Sequence, residues 1–514
     1  MQPSAHGGTG DNMTIFGRIG GASLLSGLIV LGAVAWAQRD VTPAQRAQQL
    51  LGRDQPDSAL ILLDSALARD SANVSLNVLK GQALKMAGDT VGAIQVLSRV
   101  LVTNPNHLGV RSDVMRMQLS RGNSADAIAL LRQTGPRNRL RSPDGLLLYG
   151  DVYRSAGIYD TAIVLYRQAY DQLMRHTLPL PVVPPGFVLS RLRFSNGRSD
   201  TVTWRPGAAT VFLFWARWSE SSQAALRDVS AQVGKAAMTW RLIPVNVDSR
   251  DIEDAEAIRQ VAVSLGCRDS VVFDADWEVV RRLGLDHVPC VVLVDYGGRI
   301  EDIVYGWGPA AQERILRGAL GSLDTTAVPT EAASPDTVRG RARSLRASAR
   351  QAWDRGQRQQ ALALIGRSIA ADSSYHAARV DLVIYRWMRR DTLGARLQAD
   401  KLVQLAPDMT WTRILDAHIA VARGDGAASL VALSGIDPDP DAVGAYEASS
   451  AVLAARQKAW DVATVARVRC DTLNRFHPLL QETDALLAER EDRLEAAAAL
   501  WRQAVVDRLN LENR

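Results

Sequence analysis

Apolar residues recur with two different rhythms along this chain. On both sides of a central region they follow the three-to-four-residue spacing of amphipathic helices, whereas the centre holds short continuous apolar runs. Runs of strand length that are rich in β-branched and aromatic side chains are typical of buried strands. The pattern therefore predicts two helical regions that flank an α/β region.

A longer period is superimposed on the first helical region. Alanines spaced by 34, 34 and 35 residues each begin an apolar helical stretch, and they are Ala59, Ala93, Ala127 and Ala162. A small residue lets two antiparallel helices approach closely, and a single pair cannot bury its own apolar face, so pairs must stack. This pattern resembles tetratricopeptide repeats, which are helix–turn–helix units of about 34 residues. The resemblance covers residues 42–175 and implies about four degenerate units.

The same period returns in the last third of the chain. Alanines spaced by 34, 33, 35 and 34 residues recur there, namely Ala361, Ala395, Ala428, Ala463 and Ala497. Residues 338–510 therefore resemble a second tetratricopeptide-like array of about five degenerate units. Generic amphipathic helices are the alternative, but a helical bundle has no reason to keep a period of about 34 residues.

Two segments of different composition separate these arrays from the centre. Residues 176–185 are rich in proline, and residues 322–337 are rich in Ser, Thr, Ala and Pro. Both compositions are typical of linkers. Between them, residues 186–321 alternate strand-length apolar runs with helical stretches. This alternation predicts an α/β sandwich with a partly parallel central sheet.

Two motifs in the central region are more specific than its rhythm. Residues 214–218 read Phe-Trp-Ala-Arg-Trp, and residues 287–289 read His-Val-Pro before a strand that ends in Val294-Asp295. Together they resemble the thioredoxin-like fold, in particular exported thiol–disulfide oxidoreductases related to cytochrome maturation proteins and alkyl hydroperoxide reductase-like domains. The resemblance implies that Pro289 is the cis-proline of the fold. It also implies that Trp218 is the tryptophan before the first active-site cysteine.

The cysteines that would carry this family's chemistry are missing. By the resemblance they would fall at Ser219 and Ser222, and both positions are serine. Thiol–disulfide exchange needs a thiolate that attacks a disulfide, and a serine hydroxyl cannot form that S–S bond. The resemblance therefore implies a retained fold with a vestigial, redox-inactive site.

The resemblance also implies a binding groove beside the cis-proline. Trp215, Trp218, Val288 and Pro289 would line it. In this fold such a groove can pair with an extended peptide by strand addition. Together with the concave faces of the two arrays, the groove predicts proteins or peptides as partners.

Four residues keep enzymatic alternatives open. Cys290 directly follows Pro289, and Cys267 precedes a strand of the same domain. A thiol-redox protein acting through Cys290, with or without a disulfide to Cys267, is therefore the alternative function. Ser219 and His287 as nucleophile and base lack an identifiable third, orienting group. No Cys-x-x-Cys pair and no histidine cluster occurs, so neither a metal nor a cofactor is expected.

The N-terminal residues 1–37 predict export. Residues 19–37 carry no charge, follow Arg18, and end in Ala35-Trp36-Ala37, which has the small-x-small form of a signal-peptide cleavage site. The segment is also nearly long enough to remain as a membrane anchor. Translation from Met13 would make the signal more compact. Either alternative places the rest of the chain in the periplasm or on the outer side of the cytoplasmic membrane.

Composition and charge narrow the list of partners. Hydrophobic residues make up 47% and charged residues 22% of 514 residues, as in ordinary globular proteins. The net charge of +5 is small for this length, and no dense Lys/Arg block occurs, which argues against nucleic acid. Taken together, the sequence predicts a non-catalytic exported interaction scaffold. Its architecture is an α-solenoid on each side of a thioredoxin-like α/β sandwich, with membrane contact only through a possible N-terminal anchor.

Overall fold

The computed structural model describes residues 42–512 except for short internal stretches. Those stretches are 135–140, 176, 182, 198–199, 236–240, 249–253, 269, 275–276, 322–336 and 476. The predicted signal peptide or anchor at 1–37 and most of the predicted linker at 322–337 lie outside the described residues. Among the residues described, no helix is long and apolar enough to cross a membrane.

The chain divides into two compact units, Met1–Arg139 and Leu140–Arg514. The described part of the first unit is helical, with α1 (Pro43–Gly52), α2 (Pro56–Leu67), α3 (Val74–Met86), α4 (Thr90–Thr103), α5 (Leu108–Ser120) and α6 (Ser124–Arg132). A reciprocal capping box between Thr42 and Gln45 starts α1, so its first amides are satisfied by side chains. Each helix packs against the next one along the chain.

The periodic alanines of the first unit lie where neighbouring helices meet. Ala59, Ala93 and Ala127 are fully buried. Gly81 of α3 has the same role, since a Cβ added there would lie 2.4 Å from the side chain of Leu97 in α4. Small residues therefore allow the close approach of helices that the period of about 34 residues predicts.

The second unit holds two helices before a mixed sheet and its own helices. The helices before the sheet are α7 (Pro143–Ser155) and α8 (Tyr159–Met174). The central domain follows as β1 (Leu192–Ser195), β2 (Thr201–Trp204), β3 (Thr210–Trp215), α9 (Glu220–Lys235), β4 (Arg241–Asn246), α10 (Ala255–Ser264), β5 (Val272–Phe273), α11 (Glu278–Leu283), β6 (Cys290–Val294), β7 (Ile300–Tyr305) and α12 (Pro309–Gly321).

The sheet has the strand order β2-β1-β5-β4-β3-β6-β7. The pairs β3–β4 and β4–β5 are parallel and the others are antiparallel, which confirms the predicted partly parallel sheet. Side chains of β3 alternate between two cores, because successive residues of a strand point to opposite faces. Phe212 and Phe214 pack with residues of α11, whereas Leu213 and Trp215 pack with residues of α9 and α10.

In the described residues that follow the central domain, all regular elements are helices. They are α13 (Val338–Asp354), α14 (Arg358–Ala371), α15 (His376–Met388), α16 (Thr392–Leu405), α17 (Thr410–Ala422), α18 (Gly426–Leu433), α19 (Val443–Arg456), α20 (Trp460–Leu473), α21 (Pro478–Arg490) and α22 (Leu494–Glu512). Ala361, Ala395, Ala463 and Ala497 are fully buried among them, whereas Ala428 is exposed and the next residue, Ser429, is buried in its place. The fold class predicted from the sequence, helical repeats before and after a thioredoxin-like α/β sandwich along the chain, is confirmed.

The last helix of the chain packs against the two helices that precede the sheet. Trp501 of α22 lies edge-on to Tyr170 of α8, with ring centroids 5.4 Å apart. Arg502 of α22 forms an ion pair with Asp151 of α7, with Nε and Oδ1 2.6 Å apart. The pair α7–α8, which the sequence groups with the first array, therefore stacks on the end of the second array.

Candidate functional site

Ser219 and Ser222, where the resemblance places the two cysteines, lie at the junction of β3 and α9. The side-chain oxygen of Ser219 accepts a hydrogen bond from the backbone N–H of Ser222 at 3.2 Å, as in a helix N-cap. Ser219 is 5% exposed and Ser222 is fully buried. The hydroxyl of Ser222 has no hydrogen-bond partner among the described residues. The two serines therefore begin a helix inside the protein, and solvent hardly reaches them.

The proline that the resemblance marks as cis is cis in the structure. The Val288–Pro289 bond is a cis peptide bond. It lies beside the end of β3, because β6 pairs antiparallel with β3 and Cys290 is opposite Phe214. The frame of a thioredoxin-like site is therefore present around the two serines.

The loop before this proline binds the start of a helix from the second array. The Asp286 carboxylate accepts hydrogen bonds from the backbone N–H groups of Gly444, at 2.7 Å, and Ala445 in the first turn of α19. Ala442, the N-cap residue of α19, provides no side-chain cap of its own. A carboxylate at this position satisfies free amides and complements the positive end of the helix dipole. The cap thus comes from a residue 158 positions away in the chain.

The fit between this loop and α19 leaves no room for a side chain at position 444. A Cβ added to Gly444 would lie 2.3 Å from the backbone oxygen of Asp286 and 2.8 Å from the Asn474 side chain. Atoms that close to a backbone oxygen force the backbone to move. Glycine is therefore required here by the contact with the central domain.

The same loop also binds the end of α20. The backbone N–H of Val288 donates to the carbonyl oxygen of Leu473, the last residue of α20, at 3.1 Å. The guanidinium of Arg475 lies over the Trp218 ring, 4.9 Å from its centroid. We call the contacts of Asp286, Val288 and Trp218 with Gly444, Ala445, Leu473 and Arg475 the docking contact. The backbone N–H of Val288, a residue of the predicted groove, is thus already bonded to another part of the chain.

The other predicted groove residues have distinct surroundings. Val288 is 3% exposed and packs with Cys290 in the core on the α11 side of the sheet. Trp215 is fully buried and packs with Leu226 on the opposite face. The alternation of side chains along β3 explains this position, and none of Trp215 is exposed to contact a peptide. Trp218 is only partly buried and lies at the docking contact.

The cysteines are buried thiols. Burial, reinforced by the nearby carboxylate of Asp286, raises the pKa of Cys290 well above its ordinary value. Burial likewise raises the pKa of Cys470 to about 12. A thiol that stays protonated at neutral pH is a poor nucleophile. Cys267 and Cys290 pack in the cores on opposite faces of the sheet, so the structure does not bring the two candidate redox residues together.

His287 takes part in packing around the docking contact. Its Nδ1 lies 3.3 Å from a carboxylate oxygen of Asp286, and its ring stacks on Tyr305 with centroids 4.6 Å apart. The phenol of Tyr305 in turn accepts from the backbone N–H of Asp286 at 3.1 Å. Among the hydrogen bonds of the described residues, none joins His287 to Ser219. The nucleophile–base pair considered from the sequence is therefore not assembled.

The described residues also contain no candidate metal site. No group of three or more His, Cys, Asp or Glu side chains in the described residues could hold a metal ion.

Sequence reasoning did not single out Asp286, Gly444, Leu473 or Arg475. The only local signal is Asp286 beside the His-Val-Pro motif, because the partners lie far away in sequence.

Comparison with known proteins gives similarities at the level of folds. No family model and no curated protein matches the chain. A thiol:disulfide interchange protein DsbE from Chlorobium tepidum is 19% identical, covering 27% of this chain and 99% of its own, with a TM-score of 0.25. StoA from Bacillus subtilis is 17% identical, covering 26% and 98%, with a TM-score of 0.21. Yeast Tom70 is 10% identical, covering 90% of each chain, with a TM-score of 0.31.

Proposed function

We propose that this protein is an exported protein-interaction scaffold whose thioredoxin-like domain has no dithiol redox activity. The observation that carries the proposal is that Ser219 and Ser222 stand where the resemblance places both catalytic thiols, in a domain that keeps the cis peptide bond before Pro289. Ser219 caps α9 and Ser222 is buried in the first turn of that helix, so both residues have a structural role. A hydroxyl at either position cannot take part in disulfide exchange.

The docking contact supports a structural task for the central domain. Its cis-proline loop binds the N-terminus of α19 and the C-terminus of α20, and these are adjacent helices of the second array. The domain thus fixes the second array from one side. Partner binding then falls mainly to the helical repeats, whose stacked helices offer extended surfaces to proteins or peptides.

A redox assay with the whole chain tests the catalytic half of this proposal. The wild-type protein is expected to reduce insulin no faster than buffer with dithiothreitol, under conditions in which a thioredoxin is active. Mass spectrometry should find Cys290 unmodified by iodoacetamide in the folded protein and modified after denaturation in urea, because the buried thiol stays protonated. Insulin reduction above background that disappears in Cys290→Ala would overturn the proposal in favour of a single-cysteine redox protein.

Affinity capture tests the scaffold half. The intact protein, cross-linked in cells and purified from the exported fraction, is expected to bring down a defined partner. The matched bait is the same chain with exposed apolar residues of the repeats, Leu393 and Val431, changed to Glu. Loss of the partner with this bait supports binding by the repeats. Recovery of the protein from the cytoplasmic fraction alone would contradict the export half.

A further inference from the structure

The sheet has a second concave feature at the end opposite the docking contact. The strands β3 and β4 run parallel, with Thr210 opposite Arg241 at their beginnings and Trp215 opposite Asn246 at their ends. The docking contact lies at the latter end. β5 pairs with β4 only at Val245 and Asn246, which are also at that latter end, so the beginning of β4 has no partner in β5. The beginning of β4 is therefore separated from the β1–β2 hairpin, and a cleft opens between them.

The cleft has the size and the lining of a ligand pocket. Its volume is about 960 Å³, at the upper end of the range of small-molecule sites. Phe194, Trp204 and Ile243 form buried apolar walls. Val202 and Val263 also line it and are 36% and 69% exposed, so the apolar surface continues out to solvent. Exposed apolar surface that runs into an apolar cleft is a feature of binding sites.

Arginines surround this apolar space. Arg259 forms an ion pair with Glu256 at 3.2 Å, which neutralises one positive charge. Arg241 and Arg268 line the cleft and are exposed. Neither takes part in an ion pair with another residue in the described part of the chain. A negatively charged group at the mouth of the cleft would therefore meet two guanidinium groups that form no ion pair with a described residue, while the Glu256 carboxylate in the same cleft is paired with Arg259.

The edge of β4 is unsuited to a peptide strand. The backbone N–H of Arg241 donates to the carbonyl oxygen of Ala209, in the segment that leads into β3. The backbone N–H and C=O groups of odd-numbered residues in β4 therefore point toward β3. At the even positions 242 and 244 the backbone therefore faces the opposite edge of β4, and position 244 is proline. Proline has no N–H, so a strand added along this edge would lose a ladder hydrogen bond. An alkyl chain needs no such bonds and fits the apolar walls better.

We propose that this cleft binds a long-chain carboxylate. The alkyl tail lies against Phe194, Trp204 and Ile243, and the carboxylate bonds to the guanidinium groups of Arg241 and Arg268. The site is independent of the vestigial dithiol and of the docking contact, because it lies at the other end of the sheet.

Isothermal titration calorimetry of the full chain with three probes tests the chemistry. Dodecanoate, below its micelle concentration, is expected to bind at one site. Dodecanol, which has the same tail without charge, should bind at least about tenfold more weakly, since it lacks the charge-assisted hydrogen bonds. Acetate, which has the charge without the tail, should show no binding. Absence of dodecanoate binding, or equal affinity for dodecanol, would overturn the proposal.

Two matched double variants locate the site. Arg241→Gln with Arg268→Gln is expected to weaken dodecanoate binding by about tenfold or more. Arg227→Gln with Arg299→Gln removes the same charge from exposed positions of the domain outside the cleft and should leave the affinity unchanged. Circular dichroism checks that both variants fold. Equal affinity in the two variants, or displacement of dodecanoate by an acidic peptide, contradicts a carboxylate site in this cleft.

Discussion

The two ends of the thioredoxin-like sheet are built by the same strands and have opposite surroundings. At the end where β3 leads into α9, the chain's own helices α19 and α20 occupy the cis-proline loop. At the end where β4 begins, an apolar cleft with exposed arginines stays open. The comparison teaches that the same sheet can bind the chain's own helices at one end and leave a cleft open at the other. At the cis-proline end, Ser219 and Ser222 stand where the resemblance places two cysteines, and the cis-proline loop holds another part of the chain.

Filling the closest approach in the docking contact should have the largest effect. Gly444→Ala places a methyl group against the Asp286 backbone oxygen and is expected to lower the free energy of unfolding by about 3 kcal/mol. Urea unfolding of the full chain, followed by circular dichroism, measures it. The control is Gly366→Ala in α14, where no atom lies within 4 Å of the added Cβ, and it should be neutral or slightly stabilising. Equal behaviour of the two variants would mean that the contact does not constrain α19.

Removing the helix cap should cost somewhat less. Asp286→Ala leaves the Gly444 and Ala445 amides without their acceptor and is expected to destabilise the second unit by about 2 kcal/mol. Asp286→Asn keeps an acceptor and should cost about half as much, since only the charge is lost. The same urea titration compares the variants. If Asp286→Ala were as stable as the wild type, the Asp286 cap would not hold α19 at the cis-proline end of the sheet, and the contrast with the open end would fail.

Acidification should weaken the region beside the docking contact. Burial lowers the pKa of His477, the N-cap of α21, to about 4, and that of His418 to about 3. The unfolded chain takes up these protons near pH 6.5, so the stability present above that pH is lost as the pH falls toward 4. Because both side chains keep some exposure, the loss is expected to be about 1–2 kcal/mol.

Unfolding in urea at several pH values measures this dependence. His477→Gln, which cannot take a proton, should flatten the part of the pH profile that lies above pH 4. The remaining slope belongs to His418 and to acidic groups elsewhere. An unchanged profile in His477→Gln would show that this histidine is charged to the same extent in the folded and the unfolded protein.

The cation over Trp218 should have the smallest effect. Arg475→Gln removes the guanidinium from the Trp218 ring and is expected to cost about 0.5 kcal/mol, because Arg475 is exposed. Arg475→Lys keeps a cation and should retain part of that energy. The change in Trp218 fluorescence, isolated by comparison with Trp218→Phe, provides a local readout. An identical spectrum in wild type and Arg475→Gln would contradict the stacking.

Much of the fold could be predicted because its signals are local. The alanine period marks helix pairs that must pack, and Phe214, Trp218 and Pro289 mark the centre of the sheet. The order in which helix pairs stack has no such signal, since every pair offers a similar apolar face. The position of α7 and α8 beside α22 therefore could not be derived from the period.

The docking contact could not be predicted for a related reason. It joins Asp286 to a backbone amide 158 residues later in the chain. Because almost every residue has a backbone amide, no residue type in the sequence marks the ones that take part. Trp215 shows a second limit. The motif places it near the site, but its direction depends on the register of β3, which the run Thr210–Trp215 does not fix because all six residues are buried.

Hydrogen–deuterium exchange of the full chain tests the occupied cis-proline loop most directly. The amides of Val288, Gly444 and Ala445 are all hydrogen-bonded across the docking contact. They are expected to exchange slowly in the wild-type protein and much faster in Asp286→Ala, while amides in the middle of β3 stay slow in both. Fast exchange of Val288 and Gly444 in the wild-type protein would contradict the account, because the loop would then be open to a peptide partner.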